Sequence, residues 1–215
     1  MKNFNLKRTL NLRSLTLVAI FSVALFAVSC DKASDDYLPA PAEFETKSAE
    51  NSKAVKKGDA TIAEIVVAST EAEEPQFTLL LAALEYTGLT SVFAGTDQYT
   101  VFAPTDQAFL DLVAATGVDP NDPFTAIDAA LGEGTVASVL LYHVTDGRRA
   151  ANSVLPKNEG QMKTIETLLE GVTFNVDKDG MISAVGNTAN IVAPNISASN
   201  GIIHVIDAVI LPVEL

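Results

Sequence analysis

Two histidines are the side chains of this 215-residue sequence best suited to acid–base chemistry. His204 lies three residues before Asp207, and His143 directly follows Tyr142. A histidine oriented by a carboxylate is one part of a catalytic site, which also needs a nucleophile or a polarised substrate within reach. The sequence contains no Gly-x-Ser-x-Gly elbow, phosphate-binding loop or His-Glu-x-x-His motif. We therefore expect His204 and Asp207 to serve the structure, and we expect no enzymatic activity.

The surroundings of His204 indicate a buried strand. Ile202-Ile203 and Val205-Ile206 flank the histidine on both sides. A histidine in such a strand is usually neutral and hydrogen-bonded, because buried polar groups need partners. Asp207 is expected either to accept that hydrogen bond or to serve a nearby backbone donor.

Metal ligands are scarce in the sequence. One cysteine and two histidines cannot supply the four ligands of a usual Cys/His zinc site. Asn175, Asp177 and Asp179-Gly180 resemble the start of a calcium loop, but its twelfth position is Gly186, where the loop needs a bidentate Glu. A polar strand followed by an Asp-Gly turn explains these residues better. We expect no metal and no cofactor.

The overall charge excludes one class of partner. The chain carries 14 Lys and Arg against 27 Asp and Glu, a formal net charge of −13. An acidic surface repels phosphate backbones, so nucleic acid is not an expected partner. The low charged fraction of 19% with 48% hydrophobic residues indicates a folded body and not a disordered chain.

The first 29 residues have the pattern of a secretory signal peptide. Lys2, Lys7, Arg8 and Arg13 precede an uncharged, largely apolar run over 15–28. This run of 14 residues is short of the roughly 20 that span a bilayer comfortably. A basic start, a short apolar run and small residues after it are typical of a leader that is removed on export.

The run ends at Ser29-Cys30, which contains the only cysteine of the chain. This site resembles a bacterial lipoprotein lipobox, in which the signal peptidase cuts before a cysteine that carries diacylglycerol. Ala27, where Leu is usual, and Val28 fit the pattern more loosely. A stray thiol in a discarded peptide is the simpler alternative, but position, uniqueness and flanking residues favour lipidation. The resemblance implies that Cys30 anchors the protein to the outer membrane of the cell envelope.

Residues 30–58 are predicted to form a lipidated cysteine and a flexible tether. Pro39 and Pro41, with several Ser and Ala, interrupt any apolar periodicity. The acidic stretch from Asp31 to Asp36 is similar to export signals of Bacteroidetes surface lipoproteins, although an ordinary polar tether would look the same. Surface display therefore stays open. The folded domain is expected over 59–215.

Within that domain, helical spacing comes first and strand patterns come later, which predicts an α+β fold. Helices are expected near 61–68, 77–87, 125–131 and 135–142. A strand over 99–103 should stop at Pro104 and enter a helix capped by Thr105 or Asp106. Further strands are expected over 162–168, 172–176, 181–185, 189–192, 196–198 and 202–211, with Asn200-Gly201 as a turn.

Three segments in order resemble the signatures of a fasciclin-like domain. They run from Tyr99 to Phe109, from Leu140 to Val144 followed by Gly147, and from Ser199 to Pro212. The resemblance covers about 60–213. It implies a single domain in which helices of the first half pack on a β-sandwich or wedge formed mainly by the second half.

The resemblance also implies a function. Family membership suggests a non-catalytic adhesion or interaction domain that binds extracellular matrix, glycan or a cell-surface protein. Tyr142-His143 has two interpretations: a buried aromatic beside a turn, which we favour, or an interaction motif, since this motif is implicated in adhesion in animal members. A glycan-binding accessory lipoprotein is the alternative function, and a hydrolase using His143 or His204 ranks last. The sequence does not define the oligomeric state.

Overall fold

The structure is a computed structural model that describes residues 55–214. The predicted signal peptide, Cys30 and most of the predicted tether lie outside the described residues. The helices are α1 (Ile62–Thr70), α2 (Thr78–Tyr86), α3 (Thr90–Phe93), α4 (Asp106–Thr116), α5 (Pro123–Leu131), α6 (Thr135–Tyr142) and α7 (Ala151–Val154). The strands are β1 (Tyr99–Pro104), β2 (Val144–Asp146), β3 (Lys163–Glu166), β4 (Thr173–Val176), β5 (Met181–Ser183), β6 (Thr188–Ala198) and β7 (Gly201–Ile206).

All of these strands join one mixed sheet in the order β2-β1-β7-β6-β5-β4-β3. β1 and β7 are parallel, and the other neighbours are antiparallel. The 11-residue β6 pairs with β5 through its first residues and with β7 through the rest, with register shifts after Ile191 and Ala193. The predicted α+β fold, with helices mainly in the first half, is confirmed.

The core has two parts, one on each face of the central strands β1 and β7. Val101 and Ala103 belong to the cluster formed with helices α1, α2 and α4 to α6. Phe102, between them, belongs to a second cluster with Phe174 of β4, and their rings meet edge-on at 5.0 Å. The second cluster therefore lies between the two halves of the sheet, which is the wedge that the resemblance implied. β1 is buried on both faces, as its sequence predicts.

Helix starts follow the local sequence at two places. Thr61 forms a reciprocal capping box with Glu64 at the start of α1. The Thr105 side chain accepts a hydrogen bond from the Ala108 backbone N–H at 3.3 Å and so caps α4. Asp106 instead accepts a hydrogen bond at 2.8 Å from the backbone N–H of Leu79 in the first turn of α2. It therefore ties two helices that are far apart in the sequence.

Several strand boundaries differ from those predicted. The two short strands predicted over 189–192 and 196–198 are one strand, β6, and β2 and α7 were not predicted. β7 ends at Ile206 and not at Leu211. Ile206 lies opposite Pro104, where β1 ends and the chain enters α4, so residues 207–211 have no continuation of β1 to pair with.

The Asn200-Gly201 turn joins three parts of the domain. The buried Asn200 side chain accepts a hydrogen bond from the Ile62 N–H at 2.8 Å. Its amide donates to the carbonyl oxygens of Phe93 and Gly95 at 2.7 and 2.9 Å. A side chain at Gly201 would collide with the Tyr99 carbonyl, so this position needs glycine. The turn thus fixes α1 and the end of α3 against β1.

We predict that Asn200→Ala lowers the free energy of unfolding by about 2–4 kcal/mol, because two buried backbone groups, the Ile62 N–H and the Phe93 carbonyl, lose their partner. Urea denaturation measures the change. Asn121→Ala is the matched control, since Asn121 is exposed and its side-chain amide donates to Asp119, only two residues away. Its change should stay within about 0.5 kcal/mol. Equal effects of the two substitutions would contradict the role of Asn200.

Candidate functional site

Tyr142 lies at the end of α6 and is fully buried. Its hydroxyl donates a hydrogen bond to the Thr173 carbonyl oxygen at 3.0 Å, and its ring meets Phe174 edge-on at 5.7 Å. Burial raises the pKa of the phenol. Tyr142 therefore links α6 to β4 through the second core cluster and presents no side-chain surface to solvent.

His143 follows as the C-terminal capping residue of α6 and is 2% exposed. Its Nδ1 lies 2.7 Å from the Val139 carbonyl oxygen, and its Nε2 lies 3.0 Å from the Ile210 backbone nitrogen. The Ile210 N–H is a donor, so Nε2 must accept; Nδ1 then carries the hydrogen and donates to Val139. Burial lowers the pKa of this imidazole to about 4. At neutral pH, His143 is neutral and both ring nitrogens are occupied.

His204 lies in β7 and is fully buried. Its Nδ1 accepts a hydrogen bond from the Asn195 N–H at 3.3 Å, and its Nε2 donates to the Arg149 carbonyl oxygen at 3.0 Å. The ring packs 5.4 Å from the ring of Phe102. Burial lowers the pKa of His204 as well. The imidazole bridges the irregular part of β6 to the segment that leads into α7.

Asp207 is exposed and does not bond to His204. Its carboxylate accepts hydrogen bonds from the backbone N–H and the side-chain amide of Asn190, at 2.6 and 2.9 Å. Asp207 thus serves a backbone donor, which is the second of the two roles considered for it. His204 and Asp207 do not form a catalytic pair.

The described part of the chain offers neither a metal site nor a single helix that could span a membrane. Between residues 55 and 214, no group of three or more His, Cys, Asp or Glu side chains could hold a metal ion. In the same range no single helix is long and apolar enough to cross a membrane; only α5 and α6 together, bent by 101°, pass that test of length and composition. The predicted lipidation site Cys30 lies outside this range.

Arg148 organises a network that the sequence did not reveal. Its guanidinium donates to the carbonyl oxygens of Ala198 and Gly201 and to the Ser197 hydroxyl. It also donates to the carbonyl oxygen of Lys56, at 3.1 Å. These partners are all uncharged oxygens that are far from Arg148 in the sequence, so the residues next to Arg148 do not predict them. Arg148 fixes the start of the domain to the β6–β7 hairpin.

An apolar groove lies between three of the helices and the C-terminal segment. α4, α5, α6 and the segment 209–213 border a space of about 490 Å³, which includes solvent at its open side. Leu131 and Val213 line it and are each nearly half exposed, at 46% and 47%. Phe109 and Phe124 also line the groove but are buried. This groove offers solvent-accessible apolar surface, whereas Tyr142 and His143 offer almost none.

We predict that His143 makes the protein less stable as the pH falls from about 6.5 to about 4. In that interval the unfolded chain binds a proton at this histidine and the folded chain does not, so unfolding is favoured by up to about 1.4 kcal/mol per pH unit. Full stability is present above pH 6.5. His143→Gln should therefore have a flatter stability–pH curve than the wild type in urea titrations. An NMR titration that places the pKa of His143 near 6.5 would contradict the burial argument.

Comparisons with known proteins agree with this architecture. The fasciclin domain family model matches residues 75–212. Protein sll1483 of Synechocystis is 32% identical over 81% of this chain and 88% of its own length. Immunogenic protein MPB70 of Mycobacterium bovis is 31% identical over 68% of each chain.

A solved structure has the same fold. The FAS1 domain pair of the insect cell adhesion molecule fasciclin I superposes with a TM-score of 0.56 at 18% identity, over 71% of this chain and 51% of that chain. At this identity, the likeness concerns the fold alone. The family match and the sequence relatives establish that the chain belongs to the fasciclin domain family.

Proposed function

We propose that this protein is a non-catalytic, lipid-anchored envelope protein whose fasciclin domain binds another protein outside the cell. The observation that carries the non-catalytic part is the state of the histidines. Both nitrogens of His143 and of His204 are occupied by backbone groups inside the protein. Neither imidazole is therefore available as a general base, which a hydrolase built on these residues would need.

The anchor is supported by the sequence that precedes the domain. A basic start, an apolar run over 15–28 and the single Cys30 form a lipoprotein pattern. The acidic residues after Cys30 favour an outer-membrane lipoprotein of the Bacteroidetes type, with surface display as its further consequence. Two or three acyl chains would hold such a protein stably on the membrane.

The entry of the tether into the domain is defined by backbone contacts. The Ser199 N–H donates to the Ala60 carbonyl oxygen at 2.7 Å, and Ser197 and Arg148 both donate to the Lys56 carbonyl. A side chain at Gly58 would collide with the Ser197 carbonyl. The tether would therefore meet the domain at the β6–β7 hairpin.

A protein ligand is better supported than a glycan. Sugar-binding sites usually use exposed aromatic rings, and the chain has no Trp. Among the aromatic residues between 55 and 214, only Tyr86 is exposed, and its hydroxyl already donates to Asp128 at 3.1 Å. The relative fasciclin I is described as a cell adhesion molecule, which agrees with an interaction role for this chain.

We predict that Cys30→Ala releases the protein from the membrane fraction. The wild-type mature N-terminus should begin at Cys30 and carry acyl chains, which intact-mass spectrometry of the extracted protein detects. Protease shaving of whole cells then reports surface exposure. A wild-type protein that lacks acyl chains at Cys30 would contradict the anchor.

We further predict that replacing residues 59–215 lowers cell attachment or co-aggregation, because these residues form the interaction domain. The control keeps 1–58 and carries an unrelated folded domain of similar net charge, so that anchoring and charge are preserved. Cell–cell and cell–surface attachment is counted in matched cultures. Attachment equal to that of wild-type cells would refute the interaction role.

A further inference from the structure

The groove formed by α4, α5, α6 and the segment 209–213 has no free hydrogen-bond donor among its lining side chains. Two threonines line it, and both hydroxyls are bonded to nearby backbone. Thr116 donates to the Leu112 carbonyl at 2.9 Å, and Thr135 donates to the Gly132 carbonyl at 2.6 Å. The remaining lining side chains are apolar. An occupant of this groove must therefore fill it with apolar groups.

The half of the domain that carries the groove is uniformly acidic. Residues 58–147, which include α1 to α6, contain 14 Asp and Glu and neither Lys nor Arg. The one histidine of this range, His143, is buried. All five Lys and Arg of the stretch 58–214 lie from Arg148 onward. The negative potential is therefore concentrated on the helical half of the domain.

Three acidic residues are close in sequence to residues that line the groove. Asp111 precedes the lining residue Leu112, Glu133 lies between α5 and α6, and Glu214 follows the lining residue Val213. All three acidic side chains are exposed. The groove has apolar walls and lies in an acidic half of the domain. It therefore favours an occupant with an apolar face that is flanked by positive charges.

We propose that this groove binds an amphipathic segment of a partner protein, with apolar side chains inserted and Lys or Arg along its flanks. This inference rests on the proposed interaction function. It adds where on the domain the partner binds and which side chains the partner contributes. An apolar helix face in a groove is a common mode of peptide recognition. Anionic lipid and a second copy of this acidic chain are both disfavoured as occupants, because each would meet like charge at the rim.

A designed peptide tests the proposed chemistry. The probe is an 18-residue helix-forming peptide with Leu on one face and Lys on the other. One control replaces Lys by Glu, and a second replaces Leu by Ser. The Leu/Lys peptide should bind the full-length protein about tenfold or more tightly than either control, and 0.5 M salt should weaken it several-fold. Equal binding of the Leu/Lys and Leu/Glu peptides would overturn the charge argument.

Variants of the full chain locate the binding surface. Leu131→Asp places a charge at the groove and should weaken binding of the Leu/Lys peptide about tenfold or more. Val192→Asp is the matched control, because Val192 is 54% exposed on β6 in the other half of the domain. Both positions are exposed, and thermal unfolding checks that both variants fold. If Leu131→Asp binds the peptide as the wild type does, the groove is not the site.

Photo-crosslinking in living cells identifies the natural occupant. A photoreactive residue at position 131 should link to a protein segment that contains apolar residues flanked by Lys or Arg, and one at position 192 should not. Links from position 131 mainly to lipid, to another copy of this chain or to an acidic segment would overturn the proposal. Attachment that survives Leu131→Asp but is lost on domain replacement would reject the groove and leave the proposed function standing.

Discussion

The structure depends on a parallel pair of strands, β1 and β7, that is buried on both faces. Every backbone N–H and C=O group in such a pair needs a partner within the protein, because water cannot reach it. Along the strands, the ladder from Tyr99–Gly201 to Pro104–Ile206 supplies partners on the shared edge, and pairing with β2 and β6 supplies them on the outer edges. Backbone groups beyond the ladder and in the irregular part of β6 need other hydrogen-bond partners.

The two histidines provide hydrogen-bond partners at those places. His143 accepts from the Ile210 N–H, four residues past the end of β7, and His204 accepts from the Asn195 N–H in the irregular part of β6. A neutral imidazole combines one donor and one acceptor, so each ring joins two backbone groups from separate segments. This requirement explains why residues that look catalytic in the sequence are buried. Because Tyr142 and His143 are buried, a binding surface is better sought on the accessible side chains of the helices.

Local signals made much of the fold predictable. The apolar strand before Pro104, the cap at Thr105 and the Asn200-Gly201 turn each have a signal in the local sequence, and the structure shows each one. Contacts between distant segments carried no such signal: Asp106 bonds to α2, and Arg148 bonds to four oxygens across the domain. Asn195 adopts a positive φ of 67°, and its side chain accepts from the N–H of Ala151. A single sequence does not reveal such pairs, nor a groove whose walls come from four separate segments.

Native-state hydrogen exchange tests the central strand pair most directly. The account predicts that the amides of Val101, Phe102, Ile203 and Val205 exchange last, only through global unfolding and with one common free energy. The amides of β3 and β5 should exchange faster, since β3 is an edge strand and β5 has three residues. Slower exchange in β3 to β5 than in β1 and β7 would contradict the account.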